Sequence, residues 1–186
     1  FGDGATDEGV LYESINFAVL RKLPVLFVCE NNFYAVCSPM ANRQKESTIF
    51  QRFAGLGLPS KLIDGTDVLA VYQAVGEFAN DARSGRGPAF IECQAYRWRG
   101  HAGAGSDTAL GYRTEDELVQ WMNRCPVETF KRRILSAGLI QESDYEALRL
   151  RIESEVNDAF DYAVQSPLPK AEDVERYVFA EQGCEK

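Results

Sequence analysis

The chain reads as an α/β protein built on a parallel sheet, and three features of its 186 residues say so. Two short runs, the continuous apolar 25–29 and the mostly apolar 89–93, have the length and composition of buried strands. Segments with the three- and four-residue apolar spacing of helices precede and separate them. Each change from one pattern to the other is marked by glycine, proline or a capping residue. Helix and buried strand in alternation wind a parallel sheet in the right-handed sense, layered between helices.

The elements follow in order. From Thr6 to about Lys22 the pattern is helical, with Val10, Leu11, Ile15, Ala18 and Val19 on one stripe. Thr6 and Asp7 are suited to cap its start, Glu8 is an acid in its first turn, and Pro24 follows its end. The strand Val25-Leu26-Phe27-Val28-Cys29 comes next. Lys61 to Ile63 is a brief apolar stretch ended by Asp64-Gly65. Asp67 can cap a helix reaching about Arg83, with Leu69, Tyr72, Ala74, Val75 and Phe78 on its apolar side. Ser84-Gly85-Arg86-Gly87-Pro88 breaks the pattern before the strand Ala89-Phe90-Ile91-Glu92-Cys93. Gly103, Gly105 and Gly111 make residues 100–112 a loop longer than a simple connection needs, a hint of function. Two further helices follow. The second is expected to open on a capping box, Ser143-Asp144-Tyr145-Glu146, and carries Leu148, Ile152, Val156, Phe160 and Ala163 along one side. Ser166-Pro167-Leu168-Pro169 ends it. We divide the chain into a sheet domain, 1–114, and a helical extension of the same domain, 115–186.

Composition narrows the function. Hydrophobic residues make up 45% and charged residues 26%, the proportions of an ordinary globular domain. No apolar run approaches the roughly 20 residues that span a bilayer. A net charge of -8 argues against nonspecific nucleic-acid binding, which needs a basic face. Five cysteines (Cys29, Cys37, Cys93, Cys125, Cys184) form no C-x-x-C pair, and their scatter suits a reducing compartment. Cytosol and a mitochondrial or plastid interior are both compatible. Acidic residues at Asp3, Asp7 and Glu8 stand where a signal peptide would be basic. The chain opens at Phe1 on a glycine-rich turn of the kind that normally ends a buried strand. It is therefore read as the C-terminal part of a longer protein.

Gly2-Asp3-Gly4 sits at that turn. Glycines there let backbone N–H groups approach a phosphate, and the following helix presents a positive dipole end. Asp3 would repel a bare diphosphate and becomes useful when a divalent metal lies between them. Asn31-Asn32 ends the next strand, with 26 residues between Gly4 and Asn31. One helix and one strand return a parallel sheet to the same carboxyl-terminal rim, where open α/β sheets bind ligands. A carboxylate, an amide oxygen, a backbone carbonyl and phosphate oxygens make a hard oxygen site suited to magnesium. Singly, Gly-Asp-Gly is commonly a turn and Asn-Asn a loop. Together, at this spacing, they carry information.

Gly-Asp-Gly-x26-Asn-Asn resembles the motif of thiamine-diphosphate enzymes. The run 1–32 is similar to the alpha subunit of the decarboxylating component of 2-oxo acid dehydrogenase complexes. Glu13-x-x-Asn16-Phe17-Ala18, Lys22-Leu23-Pro24 and Glu30-Asn31-Asn32 carry that resemblance, followed in order by Tyr96-Arg97-x-x-Gly100-His101 and Gly111-Tyr112-Arg113-Thr114. It extends from Phe1 to the Pro167-Leu168-Pro169 region. The resemblance implies a three-layer thiamine-diphosphate-binding fold in which Asp3 and Asn32 bind magnesium through side chains and Tyr34 through its carbonyl. Gly4 and Ala5 would face the diphosphate through N–H groups, and His101, the chain's one histidine, would sit over the thiazolium with Arg97 supporting its loop. Arg99 is read as solvated charge.

The implied reaction is decarboxylation of a 2-oxo acid, pyruvate by default, with reductive acylation of a lipoyl group. Implied partners are a beta subunit in an α2β2 assembly, supplying the glutamate that activates the cofactor, and the lipoyl domain of an acyltransferase. Two departures stand out. Ala102 follows His101 where kinase-regulated members carry serine, so no phosphorylation is expected there. Two extra residues also separate His101 from Ser106-Asp107. An acetoin-cleaving dehydrogenase, a transketolase-like enzyme and a non-catalytic homologue stay open as alternatives.

Overall fold

A computed structural model of the chain describes residues 1–45 and 48–176. Cys184 and the remainder of the proposed extension, 177–186, lie outside the described residues. The chain divides into two compact units, Phe1–Arg133 and Ile134–Lys186.

The first unit is built on a parallel sheet of three strands, β1 (Leu26–Asn31), β5 (Ala89–Gln94) and β4 (Ser60–Asp64), in that spatial order. β5 lies in the middle, and Ala89 to Cys93 are all buried, Glu92 included, as a central strand covered on both faces requires. β1 departs from that expectation, because Leu26, Phe27 and Val28 are only half-buried. Its far edge is paired by a single parallel bridge from Gly2 to Glu30, with the Phe1 carbonyl accepting the Glu30 N–H at 2.8 Å. β1 also runs past Cys29 through Asn31, so the strand itself carries the first asparagine to the rim. The remaining strands, β2 (Tyr34–Ala35) and β3 (Ser38–Pro39), form a small antiparallel hairpin directly after that rim.

Helix α1 (Gly9–Arg21) starts later than its periodicity suggests. Residues Asp3–Asp7 form a 3-10 turn in which the Thr6 hydroxyl donates to the Asp3 carbonyl at 2.6 Å. Thr6 is thereby spent locally, Asp7 is bound elsewhere, and neither caps α1. Leu11, Ile15 and Ala18 are buried while Val10 faces outward. Lys22 adopts φ 50 and closes the helix, its N–H on the Val19 carbonyl and that of Leu23 on Ala18.

α1 and the short α2 (Phe50–Ala54) cover one face of the sheet, where Leu11, Ile15, Ile49, Phe53 and Leu58 pack on Cys29 and Phe90. α3 (Val68–Arg83) covers the other, with Ala74 and Phe78 against Ala89, Ile91 and Cys93. Odd and even residues of β5 therefore feed opposite cores. The expected cap of α3 is in place, Asp67 Oδ1 accepting from Leu69 N at 3.0 Å and Ala70 N at 3.2 Å. Tyr72, expected on the apolar side, is exposed. α4 (Glu115–Met122) lies within the same unit, and α5 (Pro126–Ser136) begins in it and ends three residues past Arg133.

The second unit is dominated by α6 (Glu142–Gln165). It opens two residues before the expected box. Gln141 is extended, which places Asp144 at the third helical position, and its Oδ2 accepts the Gln141 N–H at 2.9 Å. Leu148, Ile152, Val156 and Phe160 are 41–68% exposed, so the apolar stripe exists as pattern without burial in this chain.

Candidate functional site

The two halves of the Gly-Asp-Gly/Asn-Asn pattern meet at the carboxyl end of the sheet. Asp3 is buried in its 3-10 turn, and its Oδ1 accepts the N–H of Asn32 at 3.4 Å. Asn32 Oδ1 accepts from Tyr34 N at 3.3 Å, which folds the chain back toward the hairpin. Phe33, between them, takes φ 70, a left-handed conformation that reverses the backbone within one residue. Gly4 has no room for a side chain, since a Cβ there would lie 2.9 Å from the Ala35 Cβ. The turn and the hairpin are thus in direct contact. The Ala5 N–H donates to the Gly2 carbonyl at 3.1 Å, so a phosphate would have to share that hydrogen.

A buried carboxylate needs a counter-charge, and Arg43 provides it. Its guanidinium forks between Asp3 and Asp7. Gln44 adds bonds to Thr6 at 2.9 Å and Asp7 at 2.6 Å, and Arg52 of α2 reaches the Gln44 Oε1 at 2.6 Å. The segment after the hairpin is stitched across the turn by these side chains. A polar ladder of this kind leaves no periodic trace, so sequence reading missed Arg43.

Sequence reading also missed Glu92. It is fully buried in the middle of β5, with Oε1 accepting from Asn31 Nδ2 at 2.6 Å. Its Oε2 accepts from Ile49 N at 2.7 Å and Phe50 N at 2.8 Å. The signal was available: a carboxylate inside a run read as buried on both faces must have partners. Glu92 and Asp3, after burial itself, push the Cys29 thiol up to about 12.

α4 closes one side of the turn. Glu117 accepts the Tyr34 hydroxyl at 2.7 Å, and burial followed by this bond raises the Tyr34 phenol. Trp121 packs on Phe33 at 5.8 Å between centroids and stacks on Tyr96 at 5.5 Å.

His101 stands apart from this cluster. Its side chain is exposed, no hydrogen bond among the described residues joins it to Asp3 or Asn32, and its N–H donates to Asp107 Oδ2 at 3.0 Å. Asp107 organises the loop. It also takes the Tyr112 hydroxyl and Arg97 at 3.3 Å, and the Tyr112 bond, with His101 N–H and Arg97, holds its carboxyl below the usual range. Arg97 reaches in addition to the Val36 carbonyl at 3.0 Å, tying loop to hairpin. Arg113, 3% exposed, donates to the carbonyls of Arg97, Trp98 and Arg99 and fixes the loop's base. The exposed Arg99 side chain donates to the Ala104 carbonyl at 3.3 Å, within its own loop.

With that geometry in hand, comparison with known proteins decides the family. The sequence model of the dehydrogenase E1 component matches residues 1–172. The chain belongs to the dehydrogenase E1 component family. It is 36% identical over 183 residues to the pyruvate dehydrogenase E1 component subunit alpha of Porphyra purpurea, covering 97% of this chain and 52% of that protein. The Rhizobium meliloti protein of the same name is 38% identical over 170 residues, 91% of this chain and 48% of its own. A 2-oxoisovalerate dehydrogenase subunit alpha from Bacillus subtilis is 35% identical over 180 residues, 97% of this chain and 54% of its own. The chain spans about half the length of the curated relatives it matches. No helix among the described residues is long and apolar enough to cross a membrane.

Proposed function

We propose that this E1 chain is the metal- and diphosphate-holding part of an alpha subunit that, with a beta subunit in an α2β2 assembly, oxidatively decarboxylates a 2-oxo acid. The acyl group would pass to the lipoyl domain of an acyltransferase. The observation that carries the reading is the contact of Asp3 with the Asn32 amide, which joins the two halves of the motif across 29 residues.

The donor set suits magnesium. Asp3, the Asn32 side chain and the Tyr34 carbonyl are all hard oxygen ligands, leaving positions for phosphate oxygens. Gly4 and Ala5 would present N–H groups to the diphosphate, Ala5 by sharing the hydrogen it gives Gly2. A cation on Asp3 would share that carboxylate with Arg43, which keeps Asp7 as a second anchor. Thiamine diphosphate, when bound, supplies the carbanion chemistry, and the chain orients it on a three-layer fold. His101, on a loop held by Asp107, Arg97 and Arg113, is the residue free to exchange a proton with the reacting group. Pyruvate is the substrate to test first. The Bacillus subtilis relative makes 2-oxoisovalerate the second.

The test is Asp3→Asn in the full-length protein assembled with its partner subunit. Magnesium-dependent binding of thiamine diphosphate and 2-oxo acid decarboxylation should both disappear, while the variant still unfolds cooperatively. Unchanged binding in a folded variant would reject the site.

A further inference from the structure

Glu92 is a buried carboxylate outside the set of residues that would touch metal or cofactor, yet its bond to Asn31 leads to them. Three N–H donors converge on its two oxygens: Asn31 Nδ2 on Oε1, and the Ile49 and Phe50 amides on Oε2. The opposite end of the same Asn31 amide, Oδ1, accepts the Phe33 N–H at 3.0 Å. Asn32 is therefore flanked on both sides by residues tied to Glu92, Asn31 directly and Phe33 through the Asn31 side chain. The Ile49 and Phe50 amides open α2, so the same carboxylate also joins the turn to that helix.

Only a carboxylate satisfies all three donors. An amide at this position would turn an N–H toward either the Asn31 amide or the Ile49 and Phe50 N–H groups. Because Glu92 and Asn31 are both fully buried, that clash must move the Asn31-Asn32 turn. The left-handed Phe33 leaves the turn little slack, since its backbone reversal is already held by the Asn31 Oδ1 bond.

We propose that Glu92 is a positioning residue for the cation site. Acting through Asn31, it fixes Asn32, whose backbone N–H meets Asp3, and makes the metal turn and the start of α2 a single unit. The proposal rests on the metal reading of Asp3 and Asn32.

The experiment uses Mn2+ with thiamine diphosphate as probe, on the full-length protein in the assembly in which it is purified. Free and bound Mn2+ are read by electron paramagnetic resonance, with thermal unfolding in parallel. Glu92→Gln should fold and bind Mn2+ about 10–100-fold more weakly, the range for loss of a group that orients a ligand. The double variant Glu92→Gln/Asn31→Asp restores every bond, with the polarity of the 31–92 pair alone reversed. The new glutamine donates to the new aspartate and accepts from Ile49 and Phe50, the aspartate keeps the Phe33 bond, and total charge is unchanged. It should recover most of the affinity and the wild-type Mn2+ line shape. A glutamate serving the fold alone would shift the unfolding temperature and leave Mn2+ affinity of the folded protein untouched.

Wild-type affinity in Glu92→Gln, or a folded double variant as weak as the single, overturns the proposal. If Glu92→Gln does not fold, the double variant decides alone, and a double variant that also fails to fold assigns Glu92 to the fold. Asp3→Ala is the control for the underlying reading. Mn2+ binding that ignores Asp3 sinks the metal site and this inference together, whereas Asp3-dependent binding indifferent to Glu92 sinks only the inference.

Discussion

Several single residues in this chain are held in states their type does not prefer. Val36, at the tip of the hairpin, has φ 56, a conformation that costs an L residue about 1–2 kcal/mol and a β-branched one no less. Val36→Asn should raise stability by about 1 kcal/mol, since asparagine tolerates that region. Chemical denaturation of the two proteins side by side measures it, and an unchanged midpoint would show that Val36 is unstrained. Cys29 is held as a neutral thiol by burial, with Glu92 and Asp3 adding to the effect. Its raised value makes that state stabilising below pH about 9, and the benefit erodes as pH climbs toward about 12. Cys37 is exposed. Iodoacetamide at pH 8 should therefore label Cys37 and spare Cys29 in the native protein, because the thiolate is the reacting species. Equal labelling, followed by mass spectrometry of the peptides, would mean that the β1 core opens readily.

At the scale of elements, the loop 97–113 owes its shape to two side chains. Asp107 gathers Tyr112, Arg97 and the His101 amide, and Arg113 gathers three carbonyls. Because the Asp107 carboxyl is lowered in the folded chain, this tether is intact above the ordinary carboxylate range, about pH 4, and is lost as pH falls through the depressed value. Asp107→Asn should release the loop at neutral pH, seen as trypsin cleavage after Arg99 several-fold faster than in the wild type. Cleavage at the same rate would place the loop's order elsewhere. The sequence showed this segment as glycine-rich and long, and placed Arg97 in support of His101. It did not show Asp107 as the hub, because a carboxylate six residues from its partner has no periodic signature. Helices were legible in the same uneven way. Asp67 caps α3 as expected, but at α1 and α6 the starts moved, since Thr6 was drawn to the Asp3 carbonyl and Asp144 to the Gln141 amide. Caps compete with neighbouring turns for the same donors, and propensity cannot rank that competition.

For the molecule as a whole, what was legible is what alternation encodes. Two strand runs and the helices between them specified a parallel sheet and brought Asp3 and Asn32 to one rim, whereas the central place of Ala89–Gln94 emerges only in the folded chain. The polar lattice behind the rim, Glu92 to Asn31 and Arg43 to Asp3 and Asp7, was not legible. It consists of long-range pairs, 40 residues apart for Arg43 and Asp3, that only the folded chain brings together. The rim also meets α4, through the Tyr34–Glu117 bond and the packing of Trp121 between Phe33 and Tyr96. That arrangement gives the protein a built-in optical reporter. Of its two tryptophans, Trp98 is 36% exposed and Trp121 is half-buried beside the ring of Phe33, one residue from Asn32. In Trp98→Phe protein, filling the rim with cation and diphosphate should change the intensity or emission wavelength of the single remaining indole. A spectrum indifferent to saturating ligand would show that the aromatic stack is mechanically uncoupled from the rim. A responsive one would allow binding to be followed in milliseconds, with no label, in the native assembly.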